Sequence, residues 1–409
     1  MNVTIKPSIA RGEITPPPSK SYAHRHLICA ALASGTSEIR GISESEDMLA
    51  TLDCLSLLGA KCDKEGNTVR VTGIGNKQIG SDESVKRFYC RESGSTLRFM
   101  IPIALLFGGS FEFHGTERLI SRGIGVYRKM FEPLGISFES YNTCIKTSGK
   151  LNGGYFKVDA SISSQFVSGL LFALPMAETD STLELLPPVE SKNYIDITLD
   201  ALSRFGVVAT VSGNTIKIPG KQRYSSKTMS VEGDYSNAAF LDAFNLIGGD
   251  VVLNGLCPSS IQGDKVYSEY FEQLKGGTPT IDISDCPDLG PILFTVAAMH
   301  NGALFTGTRR LKIKESDRAT AMARELSRFG ASVIVEENNV IVTKATLDAP
   351  IKNLSSHNDH RVAMSLAVIM SRFGGTIEGA EAVNKSYPGF FDDIKKLGIN
   401  VIFQEENQS

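Results

Sequence analysis

The sequence has no marked excess of charge of either sign: 42 Lys and Arg stand against 45 Asp and Glu, for a net charge of −3. A global basic field for nucleic acid is thereby excluded, and any anion site has to be a local cluster of Lys and Arg. The seven cysteines include no C-x-x-C pair. Scattered and odd in number, they read as reduced, mostly buried thiols of a cytoplasmic protein. Residues 1–11 contain no apolar h-region, so no secretory leader is expected. No apolar run is long enough to cross a bilayer; the longest, residues 99–107, contains Pro102 and ends at Gly108-Gly109. A Gly-Lys-Ser/Thr phosphate loop at the required spacing is also missing. What is present is a chain of 409 residues, 42% hydrophobic and 21% charged, enough for two or three domains with sizeable cores.

One pattern recurs along it. A helical stretch ends in a bulky apolar residue beside a glycine, and short β-like runs follow. The junctions are Leu58-Gly59, Leu134-Gly135, Phe205-Gly206, Leu274 with Gly276, Phe329-Gly330 and Leu397-Gly398, roughly seventy residues apart save for the shorter step from Gly276 to Gly330. The physical reading is a helix ended by a glycine in the left-handed region. After Gly206 and Gly330 the alternation and the turn residues Gly213-Asn214 and Glu337-Asn338-Asn339 predict hairpins. A period near seventy suits a βαβαββ unit repeated six times, and six units favour two domains of three. The stiff run Pro16-Pro17-Pro18 marks one crossing between domains, and the polar segment 221–227 a second. The N-terminal strand then belongs with the C-terminal half.

Cations recur beside hydroxyls and glycines at predicted helix starts. Ser19-Lys20-Ser21 opens one helix with Arg25 a turn further on, and such a start, with free N–H groups and a Lys, is a natural anion site. Ser93-Gly94-Ser95-Thr96-Leu97-Arg98 precedes an apolar helix and resembles a phosphate cradle in its chemistry. Arg118 and Arg122 follow in a polar loop. Ser163-Ser164-Gln165 opens the next apolar helix, and Ser191 to Tyr194 another. Each of these also reads as ordinary N-capping. Lys314-Glu315-Ser316-Asp317-Arg318 contains two cations at i,i+4, which repel on a plain surface helix and so suggest a shared anion or carboxylate. His357 and His360 flank Asn358-Asp359 before Arg361; with no third ligand at recognisable spacing and a cation adjacent, no metal is expected there. Asp285 and Asp288 flank Pro287, and Lys385 stands before Pro388-Gly389.

Taken together, six segments resemble the 5-enolpyruvylshikimate-3-phosphate synthase family: Pro18 to Ser21 with Arg25, Ser93 to Arg98, Ser163 to Gln165, Val231 to Ser236, Lys314 to Arg318 and Asn358 to Arg361, in family order over essentially the whole chain. The resemblance implies an α/β fold, a two-domain inside-out α/β barrel of six βαβαββ units, which agrees with the repeat. Residues 1–18 and 228–409 are expected to form one discontinuous domain and 19–227 the inserted one, with the active site in the cleft between them. It implies that Lys20, Ser21 and Arg25 hold shikimate 3-phosphate, that Ser163, Ser164, Ser191 and Tyr194 surround its phosphate, and that Gln165 lies at its ring. Gly94, Arg122, Arg318, Arg361 and Lys385 would bind phosphoenolpyruvate, and Asp288 and Lys314 the shikimate hydroxyls. Lys20, Asp288, Glu315 and His360 are the candidate catalytic residues; which carboxylate is the base at each step stays open.

The implied reaction needs no cofactor and no metal. Its partners are the two small-molecule substrates, with neither nucleic acid nor membrane, and a cytoplasmic monomer is expected. The family is also the target of glyphosate. Glu92, Ser95, Asn193 and Arg310 depart from the usual family residues and leave the local geometry there open. Two other readings compete. A UDP-N-acetylglucosamine enolpyruvyl transferase usually carries a Cys in the loop corresponding to residues 114–125, where this chain has none. A non-catalytic phosphosugar-binding module would have no use for carboxylates placed beside anions.

Overall fold

The computed structural model describes residues 1–75 and 84–404. The chain divides into two compact units, Lys20–Val231 and Met1–Ser19 with Glu232–Ser409.

In the unit Lys20–Val231 three four-stranded sheets share one design. A parallel pair is followed by two antiparallel strands, of which the last precedes its neighbour in the chain. One sheet runs Lys86–Tyr89, Gly109–His114, Cys144–Gly149, Ser137–Ser140. Another runs Tyr155–Asp159, Ser181–Leu186, Thr215–Ile218, Thr210–Ser212, the last two being the predicted hairpin. The third joins Thr228–Ser230 to Thr36–Arg40, Thr68–Thr72 and Lys61–Glu65. Strand residues alternate between buried and exposed, whereas the helices Lys20–Leu32, Gly94–Phe107 and Ser164–Ala173 are buried on nearly every side. A helix apolar all round belongs inside a core. The helices therefore fill the unit and the sheets cover it, the sense in which the fold is inside-out. Each sheet is open, and among the described residues none closes into a barrel.

The apolar helix expected after Arg98 is present as Gly94–Phe107 and runs through Pro102. Proline has no N–H for the carbonyl four residues earlier. That carbonyl, of Arg98, instead accepts the Tyr127 hydroxyl at 2.7 Å. The helix Ser164–Ala173 approaches the same place through Gly169, where a Cβ would lie 2.5 Å from the Arg98 oxygen and 2.3 Å from the Tyr127 hydroxyl. The close approach of these helices sets the spacing of Arg98 and Gln165, which matters below.

In the other unit, the sheet Thr280–Asp282, Gly302–Thr306, Asn339–Thr343, Ser332–Val335 repeats the design. A second sheet runs Leu354–Ser355, Gly375–Glu378, Asn2–Lys6, Asn400–Gln404, so the N-terminal strand takes the third place, antiparallel to both neighbours. The remaining repeat is abridged to the parallel pair Arg11–Ile14 with Asp250–Leu253. The cap glycines explain the difference. Gly59, Gly135, Gly206, Gly330 and Gly398 all have φ between 76° and 110° and turn the chain into the antiparallel strands. Gly276 is still helical, and the chain passes through Gly277 directly to the strand Thr280–Asp282. The short Gly276-to-Gly330 step in the sequence marks this change. The helices Tyr235–Asp242, Gly290–Met299 and His360–Phe373 fill this unit. Among the described residues no helix is long and apolar enough to cross a membrane.

Candidate active site

In the unit containing the C-terminal half, the sequence places Asp288 on a short turn, Pro287–Leu289, that leads into a buried helix. Its carboxylate is a hub. Oδ1 accepts Lys314 Nζ at 3.2 Å and Arg318 Nη1 at 2.7 Å, and Oδ2 accepts Arg361 Nη2 at 3.0 Å. Arg318, 1% exposed, also donates to Glu315 Oε2 at 2.6 Å and through Nε to Asp359 Oδ2 at 2.9 Å. Asp359 caps the helix His360–Phe373 by accepting the Arg361 N–H at 2.9 Å, and takes the Ser316 hydroxyl at 3.0 Å. Arg361 further donates to the Ser236 hydroxyl, and Lys385 Nζ to the Asn358 carbonyl at 2.6 Å. His357 and Asn358, at φ 51° and 54°, turn the chain into the helix. The i,i+4 pair of cations in the sequence is thus explained: both reach one carboxylate.

Three cations (Lys314, Arg318, Arg361) face three carboxylates (Asp288, Glu315, Asp359) in this network. Burial opposes ionisation of Asp288, yet Arg361, Lys314 and Arg318 together hold its carboxyl well below the usual carboxylate range. Burial pushes the Lys314 amine down to about 8 against the pull of Asp288. Asp264, buried nearby, has its carboxyl pushed up to about 7 by burial first and then by the charge of Asp288.

In the unit Lys20–Val231, the helix beginning at Lys20 sets its ammonium 2.9 Å from Asp47. Arg25 is nearly inaccessible. It donates to the Ser21 carbonyl at 2.7 Å, the Thr198 hydroxyl at 2.8 Å and the Tyr194 carbonyl at 2.9 Å, tying two helix starts together. Gln165 accepts Arg98 Nη1 at 2.7 Å and donates to the Ser95 hydroxyl at 2.8 Å, so Ser95 is engaged through its hydroxyl. Arg98 also donates to the Arg122 carbonyl. Gly94 lies against both guanidinium groups: a Cβ there would be 2.8 Å from Arg98 Nη1 and 3.3 Å from Arg122 Nη1. Ser163 caps the helix Ser164–Ala173, and Ser191, buried at φ 55°, precedes the helix Lys192–Arg204. Behind Lys20 a buried chain links His24 Nδ1, Thr51, Thr96 and Ser93 at 2.7–2.8 Å per step. Burial, then the charges of Lys20 and Arg25, hold His24 well below its ordinary range, hence neutral.

Asp288, Lys314, Glu315, Arg318 and Arg361 therefore come together, as do Gly94, Arg122 and Gln165. His360 is 1% exposed at the helix start, with Nδ1 4.0 Å from Asp359. Sequence reasoning gave no role to Asp47, Ser236 or Asp264. Asp47 looks like a first-turn acid favoured by the helix dipole, and nothing local in the sequence says that it faces Lys20. Asp359 was visible only as part of a motif, although an Asp just before an apolar helix is a capping signal.

The sequence model of the family described as EPSP synthase (3-phosphoshikimate 1-carboxyvinyltransferase) matches residues 5–394. The 3-phosphoshikimate 1-carboxyvinyltransferase of Clostridium botulinum (strain Eklund 17B / Type B) is 40% identical, with 98% of each chain covered. That of Clostridium beijerinckii is 40% identical, with 99% of each covered. Among solved structures, an EPSP synthase from Acinetobacter baumannii superposes with a TM-score of 0.80 at 24% identity, covering 99% of this chain and 100% of that one, a likeness of fold.

Proposed function

The chain belongs to the EPSP synthase family, and from that membership we propose how its two clusters carry the reaction. The protein is a 3-phosphoshikimate 1-carboxyvinyltransferase of the shikimate pathway: it transfers the enolpyruvyl group of phosphoenolpyruvate to the 5-hydroxyl of shikimate 3-phosphate and releases phosphate. The full-length likeness to enzymes of that activity carries the assignment, and neither the UDP-N-acetylglucosamine enolpyruvyl transferase nor the non-catalytic module is favoured. A cytoplasmic monomer is our reading of its state. The product test is direct. Protein incubated with both substrates yields a compound with the vinyl protons of an enolpyruvyl ether in its proton spectrum; recovery of unchanged substrates contradicts the assignment.

The 5-hydroxyl loses its proton as it attacks C2 of phosphoenolpyruvate, and C3 gains one to become a methyl group. The tetrahedral adduct then expels phosphate while the methyl group returns a proton, restoring the double bond. Both substrates are phosphorylated carboxylates, so their binding calls for Arg as a bidentate partner and Lys as a point charge. Lys20, Ser21, Arg25, Ser163, Ser164, Gln165, Ser191 and Tyr194 are assigned to shikimate 3-phosphate, and Gly94, Arg122, Arg318, Arg361 and Lys385 to phosphoenolpyruvate. A carboxylate holding three cationic donors is a weak base, so Asp288 is better suited to fix a hydroxyl than to remove its proton. Glu315, accepting from Arg318 with 18% of its side chain exposed, is the better proton carrier. Lys20 is its partner in the proton transfers, and His360 supports the Asp359 cap.

Two expectations follow from this assignment. Lys314 near pH 8 carries its charge below that pH and loses it above. kcat/KM for shikimate 3-phosphate should therefore fall as pH rises through about 8, because that ratio reports the free enzyme. Lys314→Arg stays charged throughout and should move this limb to higher pH; an unmoved limb would assign it to another group. The second concerns glyphosate and Gly94. A methyl group there presses on the Arg122 guanidinium and on that of Arg98, which is held by Gln165 and by the Arg122 carbonyl. Gly94→Ala should raise the inhibition constant for glyphosate by a larger factor than KM for phosphoenolpyruvate, the inhibitor being longer. Equal factors in steady-state inhibition kinetics would show that the glycine does not discriminate by space.

A further inference from the structure

On the sheet that carries Gly109–His114, three side chains outside the proposed catalytic clusters converge. Glu112 and His114 are two apart on one strand and so share a face. Cys144 on the next strand is the register partner of His114. His114 Nε2 lies 3.1 Å from Glu112 Oε2 and 3.8 Å from Cys144 Sγ, and all three donor atoms fall within 4.8 Å of one another. Zinc bonds of about 2.0–2.3 Å to N, O and S in a tetrahedron set neighbouring donors about 3.3–3.7 Å apart. The two separations from His114 bracket that range and the third lies within 4.8 Å, so side-chain movement without any shift of the strands would complete the coordination.

We propose that Glu112, His114 and Cys144 form a site for one borderline-soft divalent metal ion, Zn²⁺ foremost, distinct from the catalytic groups. The donor set of imidazole, thiolate and carboxylate selects this class over Mg²⁺ or Ca²⁺, which take oxygen ligands. The cradle is ordered before any ion arrives. The Tyr89 ring stacks on His114 at a centroid distance of 5.2 Å, and Arg87 and Lys146 each hold Glu112 at 3.0 Å. Those two cations also oppose a dication, which makes the site weaker than a closed structural zinc site. His114 remains part-exposed, giving the ion a way in, while Cys144 forms the buried floor. Three protein donors leave a fourth position for water.

Cobalt(II), which reports its ligands by colour, is the probe. Metal-free protein titrated with Co²⁺ should bind one equivalent, with the near-ultraviolet absorption of a thiolate–cobalt bond, and Zn²⁺ should displace it. Cys144→Ser should abolish that absorption while enolpyruvyl transfer continues, and His114→Gln should weaken binding by more than about tenfold, at least the loss seen for supporting residues around a metal. Cys62→Ser and Cys257→Ser, at the two part-exposed cysteines elsewhere, should change neither. A wild-type protein with no thiolate–cobalt absorption, or an absorption that survives Cys144→Ser or is undiminished in His114→Gln, would overturn the proposal.

Discussion

Glu315→Gln is expected to lower turnover by about 10²–10⁴-fold, the range typical of a lost general acid–base group, with KM for shikimate 3-phosphate little changed. The geometry makes the substitution selective. Glu315 accepts Arg318 Nη2 at 2.6 Å, and the glutamine oxygen accepts the same N–H, so the guanidinium keeps its place. What is lost is the ability to take and return a proton at neutral pH. A fall in kcat/KM matched by kcat marks an interaction made in the transition state. Stopped-assay kinetics, with binding of shikimate 3-phosphate measured separately, decide the matter. Near-normal turnover would remove Glu315 from the proton transfers and return that role to Lys20 or Asp288.

Asp359→Ala is expected to cost on the order of 3–5 kcal/mol of stability, as removing one partner of a buried ion pair does. The carboxylate is fully buried, accepts Arg318 and Ser316, and caps its own helix through the Arg361 N–H. Alanine removes all three contacts and leaves Arg318 leaning on Asp288 and Glu315. Asp359→Asn separates charge from hydrogen bonding, since its amide oxygen still accepts the helix N–H. It should recover about 1 kcal/mol, the typical value of a cap, while phosphoenolpyruvate binding stays weak because Arg318 has lost its charged partner. Urea unfolding monitored by tyrosine fluorescence gives the comparison. A midpoint for Asp359→Ala equal to wild type would mean that the cation network is held without Asp359.

The two variants probe opposite sides of one arrangement. In the Asp288 network the protein carboxylates occupy the cations, so their mutual repulsion is offset before substrate anions arrive. On the proposed assignment, substrate phosphate and carboxylate would compete with Asp288 and Glu315 for N–H donors that are already aimed. The cost of gathering three cations is met during folding, which is preorganisation in its electrostatic form.

Much of this was legible in the sequence because it is local. The repeat announces itself through Gly59, Gly135, Gly206, Gly330 and Gly398, whose positive φ is a backbone requirement that leaves few other choices. The cations stand out because their chemistry is uncommon at helix starts. What escaped is relational. The helix through Pro102 was expected, but not the partner of the carbonyl that proline abandons, which is the hydroxyl of Tyr127, far along the chain. Asp47 reads as a dipole-matched acid until the fold brings Lys20 to it. The abridged repeat left only a short interval in the sequence, and the cause, a helical Gly276 in place of a left-handed cap, needs the backbone. The sheet cluster of Glu112, His114 and Cys144 shows no ligand spacing, because two of its donors meet only across the register of neighbouring strands.

The most direct test of the central assignment is phosphate release under steady state. With phosphoenolpyruvate and shikimate 3-phosphate together, release should be continuous and proportional to enzyme. It should stop when shikimate 3-phosphate is withheld, and should not return when UDP-N-acetylglucosamine takes its place. Release sustained by UDP-N-acetylglucosamine, or no release with the full substrate pair bound to folded protein, would contradict the account.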